Sequence, residues 1–227
     1  MNLLLTAATP PEIAPTLNWL RARAVSEAGN VLTFEKSTVE ILFTGVGQLA
    51  TAYALGRRFG EGPLPDFCFQ AGIAGALDRT LALGQVVRIT SERLGDLGAE
   101  DRDGSFLSLS KLGLFPGIPY DEDEVLRLPA MHAPFRLKSC AGLTVNTTSG
   151  TAARIAALRE RYPAAQVESM EGAAFFHACL LSGLEPIAVR AISNYVEPRD
   201  RASWEIEQAV ANLNEFLRGI LGGLLVV

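Results

Sequence analysis

Val167-Glu168-Ser169-Met170-Glu171-Gly172-Ala173-Ala174 opens as a short β-like run, ends in a carboxylate and passes into an Ala-rich helix. Further on, Ala188-Val189-Arg190-Ala191-Ile192-Ser193-Asn194 is an apolar strand with an arginine inside it, stopping in Ser-Asn where a strand meets its loop. This is the pattern of an α/β sheet, and in open α/β sheets ligands bind beyond the carboxyl ends of the strands. The two stretches therefore predict that Met170, Glu171, Arg190, Ser193 and Asn194 converge on one crevice.

The chain before this core fits the same reading. Residues 3–7 form a central strand, and Thr9-Pro10-Pro11-Glu12 turns into a helix reaching about residue 23. Proline is tolerated at a helix start because the amide it lacks is unpaired there anyway. Glu12 then stands at the sheet's carboxyl edge, where an acid also complements the helix dipole. Its position alone leaves both roles open.

Residues 31–34 and 39–43 read as two strands leading to Thr44-Gly45-Val46-Gly47-Gln48 and a helix over about 49–59. A glycine turn between strand and helix can cradle an anion. Gly45, Gly47 and Ala50 also make half a dinucleotide fingerprint. It follows the third strand rather than the first, however, and no acid ends a following strand at the usual offset. Residues 66–71 form the next strand, and Gly72-Ile73-Ala74-Gly75-Ala76-Leu77 lets a ligand pack on bare backbone.

Another strand covers 86–90, and residues 94–134 turn polar and proline-rich, with Asp121-Glu122-Asp123-Glu124 in the middle. They read as surface excursions, part of them a candidate lid or subunit contact, with the acidic run a solvated face. A strand at 141–145 precedes a helix to residue 161 capped by Ser149 or Thr151. A strand at 166–168, a helix at 171–182 and a strand at 186–192 follow. From Trp204 on, Val210, Leu213, Leu217, Ile220 and Leu224 mark an amphipathic helix that closes over the sheet. With no repeat, linker or composition break, residues 1–227 are expected to form one domain.

Composition narrows the function classes. The chain has 227 residues, 48% of them hydrophobic and 20% charged, as in an ordinary globular protein. A net charge of -5 leaves no basic footprint for nucleic acid. Cys68, Cys140 and Cys179 are scattered among apolar neighbours and read as free thiols in a reducing compartment. His132 and His177 are the only histidines, and neither sits in a ligand-spaced cluster, which argues against a metal site. The first eight residues lack a basic leader and read as a buried strand, and no apolar run approaches the roughly 18 residues of a membrane span. A cytoplasmic protein without a membrane partner is expected.

Residues 44–52, 65–77, 84–96 and 167–194 carry a resemblance that runs nearly end to end. The chain is similar to the purine nucleoside phosphorylase and nucleosidase superfamily. Within it, the chain resembles the nucleosidases acting on methylthioadenosine and the related futalosine hydrolases. The motifs Ser-Met-Glu-Gly-Ala and Val-Arg-Ala-Ile-Ser-Asn are specific in combination, and Ser193-Asn194-Tyr195-Val196-Glu197-Pro198-Arg199 resembles the futalosine hydrolase branch in particular.

The resemblance implies a single-domain α/β fold, a three-layer αβα sandwich around a mixed, partly barrel-like sheet. It implies a purine nucleoside as substrate, no cofactor, no metal and a homodimer. Glu171 falls where the family holds the ribose 2′-hydroxyl, Met170 where a methionine packs on the sugar, and Glu12 where an acid activates water. Ser193 and Asn194 fall where the base is gripped, with Ile73 and Gly75 lying along it through backbone contacts.

Two departures refine this. Phosphorylases of the superfamily place a phosphate-binding arginine just before the glycine turn, but here Gln70 stands there. A neutral amide cannot give arginine's bidentate, charge-assisted grip, so water is the expected nucleophile. Adenine-specific nucleosidases carry an aspartic acid where this chain has Asn194. An amide NH₂ can donate to N7 and O6 of an oxo-purine, so hypoxanthine is the expected leaving base, as in the futalosine route to menaquinone. Asn194 can give no proton, so any proton on the base comes from water. Arg190 is expected to pair with a buried carboxylate, Glu171 or Glu168, and His177 to be an interior histidine. The alternatives are an adenine-releasing methylthioadenosine/adenosylhomocysteine-type nucleosidase, a purine nucleoside phosphorylase, or a nucleoside-binding module without chemistry. Two acids, Glu12 and Glu171, argue against the last.

Overall fold

A computed structural model describes residues 1–115, 117–128 and 135–225. The strands are β1 (Asn2–Ala7), β2 (Ser26–Ala28), β3 (Val31–Thr33), β4 (Thr38–Phe43), β5 (Phe67–Ala76) and β6 (Val86–Leu94). They continue with β7 (Gly98–Glu100), β8 (Phe106–Ser108), β9 (Val125–Arg127), β10 (Ser139–Thr144), β11 (Val167–Ser169) and β12 (Pro186–Tyr195). Five α-helices are described: α1 (Pro10–Arg21), α2 (Gln48–Gly60), α3 (Ala152–Arg161), α4 (Gly172–Leu181) and α5 (Ile206–Leu225).

One mixed sheet organises the chain. Its strands run β11-β10-β6-β12-β5-β1-β4-β3-β2, with β9 added to β6. Because β11 pairs in parallel with β10 and antiparallel with β5, the strands β5, β12, β6, β10 and β11 close into a ring. The strands β1, β4, β3 and β2 extend from it as an open wing. This is the partly barrel-like mixed sheet that the family resemblance implies.

Alternation along β1 shows how the layers form. Leu3, Leu5 and Ala7 pack with Ile13 and Leu20 of α1 and Leu213, Leu217 and Leu221 of α5. Leu4 points to the other side, with Leu55 of α2 and Phe175, Phe176 and Cys179 of α4. Successive side chains of a strand face opposite ways, so an all-apolar strand is buried on both faces. The stripe on α5 is rotated from the expected one. Ala209, Leu213, Leu217, Leu221 and Leu225 are buried, whereas Val210, Ile220 and Leu224 are only partly so. The sequence sets both rows side by side, and the buried one is the row that packs on α1 and the sheet.

The structure adds detail to several expectations. Gly72 to Ala76 belong to β5 rather than to a loop after it, because their amides and carbonyls are paired by β12 and β11. Thr151, not Ser149, caps α3, accepting from the Arg154 amide at 3.4 Å. The polar excursion carries the hairpin β7–β8 and the strand β9, and Asp121 of the acidic run accepts from the Val125 amide at 2.9 Å. His132 and part of the candidate lid fall outside the described residues. Among the described residues, no helix is long and apolar enough to cross a membrane.

Candidate functional site

Where the ring meets the wing, a cavity of about 280 Å³ opens at the carboxyl ends of β1, β5 and β12. It is lined by Glu12, Ile73, Gly75, Met170, Glu171, Ser193 and Asn194, which come together as expected, whereas Arg190, expected in the same crevice, is not on its wall. Val46, Thr148, Ser149, Glu168, Arg199 and Trp204 line it as well.

Glu12 has two tasks at once. Its Oε2 accepts from the Thr9 amide at 2.8 Å and the Thr9 hydroxyl at 3.0 Å, closing the start of α1. Oε1 reaches the Ile73 amide at 3.3 Å. A Cβ at position 72 would lie 3.0 Å from that oxygen, so Gly72 leaves room for the carboxylate. The helix-start reading and the site reading of Glu12 therefore both describe the same side chain. Asn214 of α5 fixes the helix behind it, accepting from the Thr16 amide at 2.9 Å and donating to the Glu12 carbonyl at 2.8 Å.

Glu171 is the N-cap of α4, and Oε1 accepts from the Gly47 amide at 2.8 Å. Gly47 sits at φ 90° and caps α2, a conformation that favours glycine. The anion held by this glycine turn is thus the protein's own carboxylate. Burial pushes the Glu171 carboxyl above its ordinary value, while the Gly47 amide and the Arg190 charge pull the other way.

At the other end, the Asn194 amide is set by its neighbours. The Ser193 hydroxyl lies 2.9 Å from Oδ1, and Nδ2 donates to the Tyr195 carbonyl at 2.9 Å, leaving a second N–H. The β12 register skips a residue between Ile192 and Asn194, so Ser193 is a bulge and Asn194 pairs with Gly75. A Cβ on Gly75 would stand 3.2 Å from Asn194 Nδ2 and 2.9 Å from Val196, so this glycine makes room for the amide.

Glu168, on β11, pairs with Gly75 from the opposite side. It is buried and accepts from the Ser149 amide at 2.9 Å and the Ser149 hydroxyl at 2.6 Å. Sequence reasoning missed it as a lining residue. Its signal was a second acid three residues before Glu171, within a strand.

Arg190 does not pair with Glu171 or Glu168, as the sequence suggested. Its guanidinium donates to the Gln70 side chain and, at 3.0 Å, to the Val189 carbonyl. A carbonyl and a side-chain amide each take one of its hydrogens, while the carboxylates of Glu92 and Glu171 balance its charge at longer range. Gln70 is buried inside the ring, where it holds Arg190. His177 lies outside the cavity, its ring 5.6 Å from that of Tyr120.

Comparison with known proteins supplies the family and the fold. A family model described as the phosphorylase superfamily matches residues 2–225. A futalosine hydrolase of Streptomyces coelicolor is 37% identical over 78% of this chain and 75% of its own. That of Thermus thermophilus is 32% identical over 79% and 80%. A structure of Helicobacter pylori futalosine hydrolase superposes with a TM-score of 0.76 at 16% identity, covering 98% of both chains. A Streptococcus pneumoniae methylthioadenosine/adenosylhomocysteine nucleosidase bound to a transition-state inhibitor gives 0.73 at 19%, covering 99% and 100%. At such identities the two structures establish the shared fold alone.

Proposed function

The chain belongs to the phosphorylase superfamily, and we propose that residues 1–227 act as one nucleosidase domain, a futalosine hydrolase that cleaves the N-ribosidic bond with water and releases hypoxanthine. The observation that carries this reading is a single cavity with two carboxylates at one end and an amide with an unused N–H at the other.

N-ribosidic cleavage builds positive charge on the sugar and negative charge on the departing purine. Glu171 holds the ribose 2′-hydroxyl, a contact that strengthens as the sugar becomes cationic. Met170 packs on the sugar. Glu12 orients and deprotonates the water, work typically worth about 10²–10⁴ in rate. Ser193 holds the Asn194 amide so that its N–H meets N7 or O6, with Ile73 and Gly75 along the base. Glu168 accepts from N1–H, a donor that hypoxanthine has and adenine lacks. The base takes its proton from water, and no cofactor is required.

Gln70, turned inward onto Arg190, favours water over phosphate as the nucleophile. Arg199 is the cation to watch: it lines the cavity on the Ser149 side and stacks on Trp204 at 4.8 Å. The test is to incubate the protein with futalosine, inosine and methylthioadenosine, each with and without phosphate. Hypoxanthine release from futalosine that does not depend on phosphate is the expected result. Adenine release, or an absolute need for phosphate, overturns the reading.

We also propose that the protein works as a homodimer. Val46, which lines the cavity, and Leu49 and Tyr53 beyond it are exposed large apolar residues around the start of α2, a patch that fits a second copy. Sedimentation at micromolar concentration checks this, and a monomer there refutes it. The buried free thiols Cys68, Cys140 and Cys179 fit a reducing compartment, the cytoplasm, where the futalosine route to menaquinone would run.

A further inference from the structure

Behind Glu171, and outside the cavity lining, lies a second acid with no assigned task. Glu92 on β6 is 1% exposed. Its presence inside the ring depends on an irregularity. Along β6, Val87 and Ile89 point inward, and strict alternation would next bring in Ser91 and Arg93. The β6–β10 register skips Thr90, pairing Ile89 with Cys140 and Ser91 with Ala141. That bulge reverses the phase, so Glu92 turns inward and Arg93 outward.

The surroundings are cut to fit its carboxyl group. A Cβ on Gly172 would lie 1.8 Å from Glu92 Oε1, and one on Gly142 would lie 2.4 Å away. Oε2 accepts from the Thr144 hydroxyl at 2.8 Å, and that hydroxyl accepts from the Ala173 amide at 2.8 Å. Glu92 thus buttresses the first turn of α4, immediately after Glu171. The groups facing it are Arg190 from β12, Thr144 from β10 and Glu171 at the head of α4, with Glu12 beyond Glu171. Two acids, Glu92 and Glu171, share the field of one buried guanidinium whose hydrogen bonds go to Gln70 and a carbonyl. Burying an unmatched charge is costly, and a carboxyl group avoids the cost by keeping its proton.

We propose that Glu92 is a positioning residue that is protonated on the acid side of neutrality, so that Glu171 can be the ionised acid there and the Arg190 charge stays with the site. The inference rests on Glu171 being the sugar-holding group. Burial pushes the Glu92 carboxyl up to about 7, against the pull of Arg190 and Thr144, in agreement with the packing. The neutral acid props α4 through Thr144 and adds no negative charge beside Glu171.

Infrared spectra of the intact protein read this without substrate, so the result stands apart from whether futalosine is cleaved. At about pH 6 an un-ionised carboxyl band is expected, disappearing as pH rises through about 7, absent from E92Q and retained in E171Q. No such band at about pH 6, or a band lost in E171Q but kept in E92Q, overturns the proposal. On whichever nucleoside is turned over, E92Q should keep kcat at about pH 6 within roughly threefold, whereas E92A loses at least about tenfold with a smaller change in KM. If E92Q folds, by its unfolding curve, yet loses as much kcat as E92A, the site needs the charge and the proposal fails. If E92Q does not fold, the pH-dependent band of the natural protein and of E171Q still decides.

Discussion

The wing β1–β4–β3–β2 and the ring β5–β12–β6–β10–β11 belong to one sheet but bury different chemistry. Leu3, Leu5, Val39 and Ile41 of the wing enter a layer against α1 and α5 that is apolar but for the paired Thr16 and Asn214. The ring encloses Gln70, Glu92, Thr144 and Arg190, all buried, and opens onto Glu12, Glu171 and Asn194. A face covered by helices is filled mainly by apolar contact with one uncharged polar pair, whereas a closed ring brings strands from several parts of the chain around a charge. Only the second gives a buried ion enough partners to repay its lost hydration.

The largest effect expected from breaking this contrast is in catalysis. E171Q and E12Q should each lower kcat by about 10²–10⁴ in a base-release assay, with the unfolding midpoint little changed. L5A, in the wing, should do the reverse. Leu5 is fully buried, so truncation should cost roughly 2–5 kcal/mol in denaturant unfolding. Activity per folded molecule should stay within about twofold, because Leu5 lies in the layer against α1 and α5 and not on the cavity wall. A wing mutant that spares stability but abolishes activity breaks the division.

The same division decides what was legible in the sequence. Wing and helix faces follow period 2 and period 3.6, so β1, β4, α2 and α4 lie within a residue or two of where patterning puts them. Arg190 and Glu171 stood out as charges within apolar runs, and that anomaly pointed to the site. Glu92 did not stand out, because Ser91-Glu92-Arg93 looks like the solvated end of a strand and only the bulge at Thr90 turns the acid inward. Glu168 was legible as a buried acid but was assigned to Arg190, since the sequence cannot show that Gln70 already holds that guanidinium. Ring closure between β11 and β5 is a long-range pairing, and no local pattern could announce its register.

Stability as a function of pH separates ring from rim with opposite signs. Glu92 is raised in the folded protein to about 7 from an ordinary 4.5, so between those values the folded state binds the extra proton. Its contribution is fully present below about 4.5 and is lost as pH rises through about 7, at most about 3 kcal/mol. Asp78, at the rim, accepts from the Thr80 amide and the Gln166 side chain and is held down at about 2. Its contribution is present at neutral pH and lost as pH falls through about 2. Denaturant midpoints of the natural protein and E92Q between pH 4 and 9 should differ in slope around about pH 7, the Gln variant being flatter. Parallel curves would mean that Glu92 is ionised throughout. In the assay, kcat should fall on acidification through the raised value of Glu171, because its carboxylate is the working form.

The smallest expected effect tests the cavity's base end, where Asn194 and Glu168 flank Gly75 from opposite sides. For a 6-oxo base, the amide offers its free N–H to N7 or O6 while the carboxylate accepts from N1–H. Adenine reverses the second contact, setting the N1 lone pair against the Glu168 oxygens, and places a donor where O6 was. N194D supplies an acceptor for an exocyclic amino group but leaves the N1 mismatch in place. Its preference for hypoxanthine over adenine nucleosides should therefore relax by about 10–100-fold in kcat/KM, the worth of one mispaired polar group, without inverting. Adding E168Q lets the side chain donate to N1, and only the double variant should favour adenine release. If N194D alone inverts the preference, Glu168 takes no part in reading the base and serves only to hold Ser149.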